Sequence, residues 1–88
     1  MLYDYYGTEC PHCIRMKPIV EEVEKELGVT IEKVEVWHND DNAKKLEEID
    51  KGRCGGVPFF YNSDNDQFIC GGTDKETLVK WAKGEKME

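Results

Sequence analysis

The hydrophobic pattern of the first third of the chain predicts a short strand followed by a long helix. Residues 2–6 are mostly aromatic and end at Gly7, which is typical of a buried first strand. Over residues 14–27 the apolar spacing of three and four predicts an amphipathic helix, which Gly28 closes. Pro11 suits its first turn, whereas Pro18 inside it predicts a kink. The apolar positions of this helix are Cys13, Met16, Val20, Val23 and Leu27.

The middle of the chain predicts a second strand and a second, shorter helix. Residues 29–37 alternate between apolar and polar positions, as expected for a strand. Asn39 and Asp40 can cap the helix that follows, and Gly52 ends it. Its apolar positions lie three apart, so the helix has a narrow buried stripe: Ala43, Leu46 and Ile49.

The last third predicts a hairpin and a final helix. Residues 57–61 and 67–70 are short apolar runs separated by turn-forming side chains at 62–66. An antiparallel pairing of Tyr61 with Gln67 would place Pro58 opposite Cys70. Thr73 and Glu76 form a capping box for a helix that ends at Gly84.

Together these elements predict a β-α-β-α-β-β-α fold of the α/β class. It has a mixed four-stranded sheet with a parallel first half, flanked by three helices on both faces. A length of 88 residues is enough for one hydrophobic core, so residues 1–88 are expected to form a single domain with a charged tail from about residue 84.

Composition and charge exclude several classes of function. A formal net charge of −7 disfavours nucleic acid and anionic membranes as partners. No apolar run is long enough to cross a bilayer, and no signal segment follows Met1. Four cysteines without a signal segment favour a reducing compartment, so we expect a cytoplasmic monomer.

The stretch with the clearest chemistry is Cys10-Pro11-His12-Cys13, at the junction of the first strand and the first helix. A Cys-x-x-Cys motif there is typical of a redox dithiol, although half of a zinc site has the same spacing. Backbone N–H groups at the helix N-terminus favour a thiolate at Cys10. Cys10 is thus predicted as the accessible nucleophile, and Cys13, less exposed, as the cysteine that resolves the mixed disulfide.

On these residues the chain resembles the thioredoxin superfamily over roughly residues 2–84, and in length and helix count it is most similar to glutaredoxins. The dithiol followed by Ile14-Arg15 looks like a glutaredoxin active site, and the run from Gly71 to Asp74 looks like that family's glutathione-binding segment. Two positions look like thioredoxin instead: Asp4, six residues before Cys10, and Pro18, five residues after Cys13. The Pro11-His12 dipeptide is similar to that of periplasmic disulfide-forming oxidoreductases, whose inserted helical domain cannot fit in this length.

The resemblance implies further site residues. It places Pro58 after a cis peptide bond beside Cys10, where the backbone of Val57 would pair with a substrate cysteine; the residues alone also allow an ordinary trans proline at a strand start. It also implies a glutathione groove formed by Lys17, Val57, Gly72 and Asp74. Asp74 equally suits a helix cap.

Two ionisable residues have open roles. His12 lies between the cysteines, where we expect it to favour the Cys10 thiolate; the alternative is an exposed histidine without a role. Asp4 shares a strand face with Leu2 and Tyr6. If this face is buried, Asp4 would have a raised pKa and could take the Cys13 proton through a water; otherwise it faces solvent.

Cys54 and Cys70 allow three interpretations, ranked here from the most to the least favoured. They are buried structural thiols, a second redox pair, or ligands of a metal centre completed by Cys10 and Cys13. The large separation of Cys54 from Cys70 in sequence disfavours a zinc knuckle.

The predicted function is a thiol–disulfide oxidoreductase with a dithiol mechanism, which reduces or exchanges protein or glutathione disulfides. It needs no cofactor beyond its own cysteines, and its electrons come from glutathione or from a dithiol reductase. The alternative is a metal-binding module or metallochaperone that uses Cys10 and Cys13 with Cys54 and Cys70.

Overall fold

A computed structural model describes residues 1–85 of the chain. The order of its elements confirms the predicted β-α-β-α-β-β-α fold, and the end of the predicted charged tail lies outside the described residues. The elements are β1 (Leu2–Tyr6), α1 (Pro11–Leu27), β2 (Ile31–Glu35), α2 (Asp40–Asp50), β3 (Phe59–Asn62), β4 (Gln67–Cys70) and α3 (Lys75–Ala82).

The four strands form one mixed sheet in the order β2-β1-β3-β4. β1 pairs in parallel with β2 and antiparallel with β3, which in turn pairs antiparallel with β4. β1 is therefore a central strand. Its C-terminal end, where the chain turns into α1, is bordered by β2 on one side and by β3 on the other.

Each face of the sheet has its own hydrophobic cluster. On one face α1 and α3 cover Phe60 and Trp81, whose rings meet edge to face with 5.6 Å between centroids. On the other face the helix α2 covers Tyr5 and Phe59. A layer of helix on both faces explains why a chain this short buries a central strand almost completely. No helix within residues 1–85 is both long and apolar enough to span a lipid bilayer.

The predicted register of the hairpin is wrong by one residue. Tyr61 pairs with Phe68, and Phe59 rather than Pro58 lies opposite Cys70. The reason is Asn62, which is a buried strand residue and not part of the turn. Its side-chain amide donates to the Trp81 carbonyl at 3.4 Å, and its Oδ1 accepts from the Asp64 N–H at 3.0 Å. These bonds extend β3 by one residue and shorten the loop.

The helix termini differ in part from the predictions. Asn39 caps α2 as predicted, by accepting the Asn42 N–H at 3.1 Å. For α3 the cap is Asp74 and not Thr73, because the Asp74 carboxylate accepts the Thr77 N–H at 2.8 Å. The helix α1 continues without interruption through Pro18, which has no N–H to donate to the Ile14 carbonyl.

Candidate active site

Cys10 is the N-cap residue of α1, and its sulfur is hydrogen-bonded to the first turn of the helix. The Cys13 backbone N–H donates to Cys10 Sγ at 3.2 Å. The Cys10 N–H donates to the Gly7 carbonyl at 3.1 Å, so the turn that leads out of β1 is closed before the helix begins. Cys10 and Cys13 are both free thiols. A sulfur in this position receives the N–H groups and the positive dipole end that stabilise a thiolate.

The predicted exposure of the two cysteines is wrong: Cys10 is only 3% exposed, whereas Cys13 is half-buried. Cys10 is covered by the chain before β3, and its thiol donates to the Val57 carbonyl at 3.8 Å. Cys13 instead faces a groove of about 440 Å³ along α1. The position of a cysteine along α1 therefore does not decide its exposure. Residues around Val57, which are distant in sequence, cover the N-cap residue Cys10.

The segment that covers Cys10 contains the Val57–Pro58 peptide bond, which is cis. Pro58 is buried, and its carbonyl accepts the Gly71 N–H at 2.8 Å. The fold thus brings Cys10, Val57, Pro58 and the Gly71-Gly72 turn together. The Val57 carbonyl oxygen lies 3.8 Å from Cys10 Sγ.

Asp4 lies on the buried face of β1 and lines the same groove as Cys13. Burial raises the pKa of Asp4 from 3.8 to about 6; the nearby Lys33 opposes this rise, and Glu24 adds to it. Its Oδ1 has no hydrogen-bond partner among the residues that the structure describes. The carboxyl group is thus poised to exchange a proton with a group or a water in the groove.

Cys13 holds its proton tightly. Burial and the contact with Cys10 raise the pKa of the Cys13 thiol to about 12, and the negative charge of Asp4 contributes to this rise. A thiol of this kind reacts only after a base removes its proton. The two cysteines are therefore chemically distinct, since burial and the hydrogen bond with Cys10 raise the pKa of Cys13 even though Cys10 is the less exposed residue.

The remaining predicted residues lie in α1, in the turn after β4 and at the start of α3. His12 is exposed in the first turn of α1, and Lys17 lines the groove with Asp4 and Cys13. Gly72 lies close to Met16, whose Sδ would be 3.9 Å from an added Cβ. The Asp74 carboxylate is used as the cap of α3, and the Thr77 N–H holds its pKa below the usual range.

Cys54 and Cys70 form a disulfide, with 5.5 Å between their Cα atoms. The preferred prediction of two structural thiols is therefore wrong. The disulfide also removes both residues from the metal centre of the alternative hypothesis. Within residues 1–85 no group of three or more histidine, cysteine or acidic side chains is arranged to hold a metal ion.

Sequence reasoning missed the contacts that hold the loop before Cys10. The Glu35 carboxylate accepts the Thr8 N–H at 2.9 Å and the His38 N–H at 2.7 Å, and so joins this loop to the end of β2. The Trp37 indole lies so close to Gly7 that an added Cβ would be 2.2 Å from it. Only glycine fits at position 7, a requirement that the sequence signals merely as a strand end.

A second missed group holds the chain between α2 and Val57. The buried Asp50 carboxylate accepts the Cys54 N–H at 2.6 Å and the Gly55 N–H at 2.8 Å. The Arg53 guanidinium lies 4.3 Å from the centre of the Phe68 ring and binds Asp66 of the hairpin. An aspartate in the last turn of a helix is unfavourable for the helix dipole, which is the one sequence signal for the role of Asp50.

A free dithiol at the N-terminus of the helix that follows a central strand is the arrangement of redox enzymes with a thioredoxin fold. The thioredoxin family model matches residues 1–84, and the chain belongs to this family. It is thus a thiol–disulfide oxidoreductase of the thioredoxin superfamily. No curated protein shows significant sequence similarity to the chain.

Solved structures with low sequence identity share the fold. A mutant thioredoxin from Halobacterium salinarum superposes with a TM-score of 0.71 at 22% identity, over 99% of this chain and 74% of that one. Thioredoxin 1 from Thermosipho africanus gives 0.69 at 17% identity, over 94% and 90% of the two chains. A glutaredoxin from Archaeoglobus fulgidus gives 0.66 at 23% identity, over 94% and 86%.

The raised pKa of Asp4 predicts a specific pH dependence of stability. Because the folded state binds this proton more tightly than the unfolded state, the contribution of Asp4 to the free energy of unfolding falls as pH rises from about 4 through about 6. Between pH 4 and pH 8 the free energy of unfolding of the wild type should fall by roughly 2 kcal/mol relative to that of Asp4→Asn. Denaturant unfolding at the two pH values measures this loss.

Asp41→Asn provides the control, since it removes the same charge from an exposed position in α2. The change of its difference from the wild type between the two pH values gives the effect of removing one exposed charge. An Asp4→Asn difference that changes with pH no more than this would contradict the raised pKa of Asp4.

Proposed function

We propose that the protein reduces protein disulfides by a dithiol mechanism in which Cys10 attacks and Cys13 resolves. The observation that carries this proposal is the hydrogen bond from the Cys13 N–H to Cys10 Sγ at 3.2 Å. It places an N–H group of the helix N-terminus on Cys10 Sγ, whereas burial and the hydrogen bond with Cys10 raise the pKa of Cys13 to about 12.

In the first step the Cys10 thiolate attacks one sulfur of the substrate disulfide. A new sulfur–sulfur bond joins Cys10 to the substrate, and the other substrate sulfur leaves as a thiolate that takes up a proton. The Val57 backbone, 3.8 Å from Cys10 Sγ, would pair with the substrate chain beside the attacked cysteine. Such pairing positions the sulfurs without requiring a particular substrate sequence.

In the second step Cys13 must lose its proton to displace the product. We assign the base to Asp4, which lines the same groove and whose pKa of about 6 leaves it ionised at neutral pH. Both groups line this groove of about 440 Å³, and we propose that a water in it carries the proton between them. The Cys13 thiolate then attacks Cys10 Sγ, the reduced substrate leaves, and two electrons have passed from the dithiol to the substrate.

For the electron donor, we propose a dithiol reductase in preference to glutathione. Glutathione is an anion, and the protein carries a formal net charge of −7. Of the residues expected in a glutathione groove, Asp74 is engaged in capping α3, and Lys17 faces the groove of Asp4. The cytoplasmic location stays a prediction from the sequence.

Cysteine variants test the central proposal. Cys10→Ser should abolish reduction of a protein disulfide such as insulin, because no nucleophile remains. Cys13→Ser should instead accumulate a mixed disulfide between Cys10 and the substrate, which non-reducing electrophoresis and mass spectrometry detect. If both variants reduced insulin at the wild-type rate, the proposal would be wrong.

Donor specificity gives a second test. At equal thiol concentration, turnover with a thioredoxin-type reductase or a small dithiol should exceed turnover with glutathione by on the order of tenfold. Raising the salt concentration should narrow this gap, since it screens the repulsion of the anionic donor. Faster turnover with glutathione at low salt would overturn the proposed donor.

We further propose that His12 tunes the dithiol by favouring the Cys10 thiolate through partial positive charge. The expected reduction potential lies between about −230 and −150 mV, less reducing than that of thioredoxin. His12→Ala should make it more negative by about 10 to 30 mV. Equilibration with a glutathione redox buffer measures the potential, and an unchanged value would show that the exposed ring does not influence Cys10.

A further inference from the structure

The Cys54–Cys70 disulfide adjoins the segment that covers Cys10. Cys54 precedes Val57 by three residues, and Cys70 pairs with Phe59 at the end of β4. Cys54 Sγ lies 3.7 Å from the Gly56 carbonyl oxygen, and Cys10 Sγ lies 3.8 Å from the Val57 carbonyl oxygen. The dithiol and the disulfide therefore contact neighbouring carbonyl groups of one segment, residues 51–57, named here the cover segment.

Few contacts besides the disulfide hold the middle of the cover segment. A Cβ added at Gly55 or at Gly56 would meet no atom within 4 Å, so these residues border open space. Arg53 ties the start of the segment to the hairpin through Asp66 and Phe68. At the glycines themselves there are two ties: the disulfide and the Asp50 carboxylate, which binds the N–H groups of Cys54 and Gly55. Loss of either tie would loosen the chain that leads to Val57.

The disulfide is open to attack from solvent. Cys70 is exposed and Cys54 is half-buried, whereas Cys10 is 3% exposed. An external thiolate therefore reaches Cys70 Sγ most directly. Cys54 is then the leaving sulfur, and its position 3.7 Å from the Gly56 carbonyl lets the new thiol donate a hydrogen bond there.

We propose that the Cys54–Cys70 disulfide is a second thiol-reactive site, which an external dithiol opens to release the cover segment from Cys10. The dithiol forms a mixed disulfide with Cys70, and Cys54 leaves as a thiolate that takes a proton from solvent. The second thiol of the dithiol then displaces Cys70. The protein gains two electrons and two protons as two thiols, and the dithiol becomes a disulfide.

Opening has two opposite consequences for Cys10. Small reagents reach its sulfur more readily, because the Val57 carbonyl no longer covers it in one fixed position. Protein substrates bind more weakly, because the backbone that pairs with them is no longer preorganised. This second consequence rests on the proposed function, whereas the opening itself does not.

The opening is tested in a Cys10→Ser/Cys13→Ser variant, which retains only the second pair of cysteines. Dithiothreitol is added under native conditions, and iodoacetamide labelling with peptide mass analysis follows the formation of Cys54 and Cys70 thiols. Labelling of both cysteines while the circular dichroism spectrum stays native supports the proposal. Labelling that appears only together with unfolding overturns it, whatever the activity of the wild type.

The consequence is tested in Cys54→Ser/Cys70→Ser, which represents the opened state. Alkylation of Cys10 should be several-fold faster than in the wild type with its disulfide intact. The ratio of kcat/KM for insulin to kcat/KM for a small aromatic disulfide should fall by about tenfold, mainly through KM for insulin. Global destabilisation would lower both activities together and leave this ratio unchanged, an outcome that overturns the proposal.

Asp50→Asn provides a matched variant, since it weakens the other tie of the cover segment and leaves the disulfide in place. It should shift Cys10 alkylation and the substrate ratio in the same direction as the cysteine variant. Unchanged alkylation in both variants would show that the cover segment does not control access to Cys10. Absence of insulin reduction in every variant, with alkylation changed as expected, would refute the proposed function but not the opening.

Discussion

The hydrogen bond from the Cys13 N–H to Cys10 Sγ requires Cys10 to lie at the junction between the central strand β1 and the helix α1. β1 is paired on both sides, so its C-terminal end is held by β2 and β3 and cannot shift. The turn closed by the Cys10 N–H and the Gly7 carbonyl then places Cys10 at the N-cap. The chemistry of the dithiol is thus a property of the junction between strand and helix, since the sulfur takes the place of the side-chain oxygen that usually caps a helix.

The same strand explains why Asp4 is buried. A residue on the α1 face of a central strand is covered whether or not it is polar, and at this position the chain has a carboxyl group without a hydrogen bond to its Oδ1 from residues 1–85. Such a group costs stability when ionised. The protein therefore has a destabilising residue six positions before Cys10, in the groove that Cys13 also lines. This cost is the strongest physical reason to consider Asp4 functional rather than structural.

Parts of the chain that are far apart in sequence complete the site. The Val57 carbonyl covers Cys10, the Glu35 carboxylate binds the loop before it, and Trp37 packs on Gly7. Glu35 and Trp37 belong to the end of β2 and the loop after it, whereas Val57 belongs to the connection between α2 and β3. Because these loops carry most of the polar contacts around the site, the sheet provides the rigid frame and the loops determine access.

The sequence by itself determined the order and type of all seven elements, because the periods of apolar residues, Gly7, Gly28 and the turn residues of the hairpin are local signals. It also identified the dithiol, since two cysteines one helical turn apart need no distant partner to be recognised. Only the tertiary structure decided that Cys10 is more buried than Cys13, that Cys54 is bonded to Cys70, and that Asp50 holds the cover segment. These features depend on contacts between residues distant in sequence, which local patterns do not specify. In the hairpin, for example, a register shift of one residue changes which residue lies opposite Cys70.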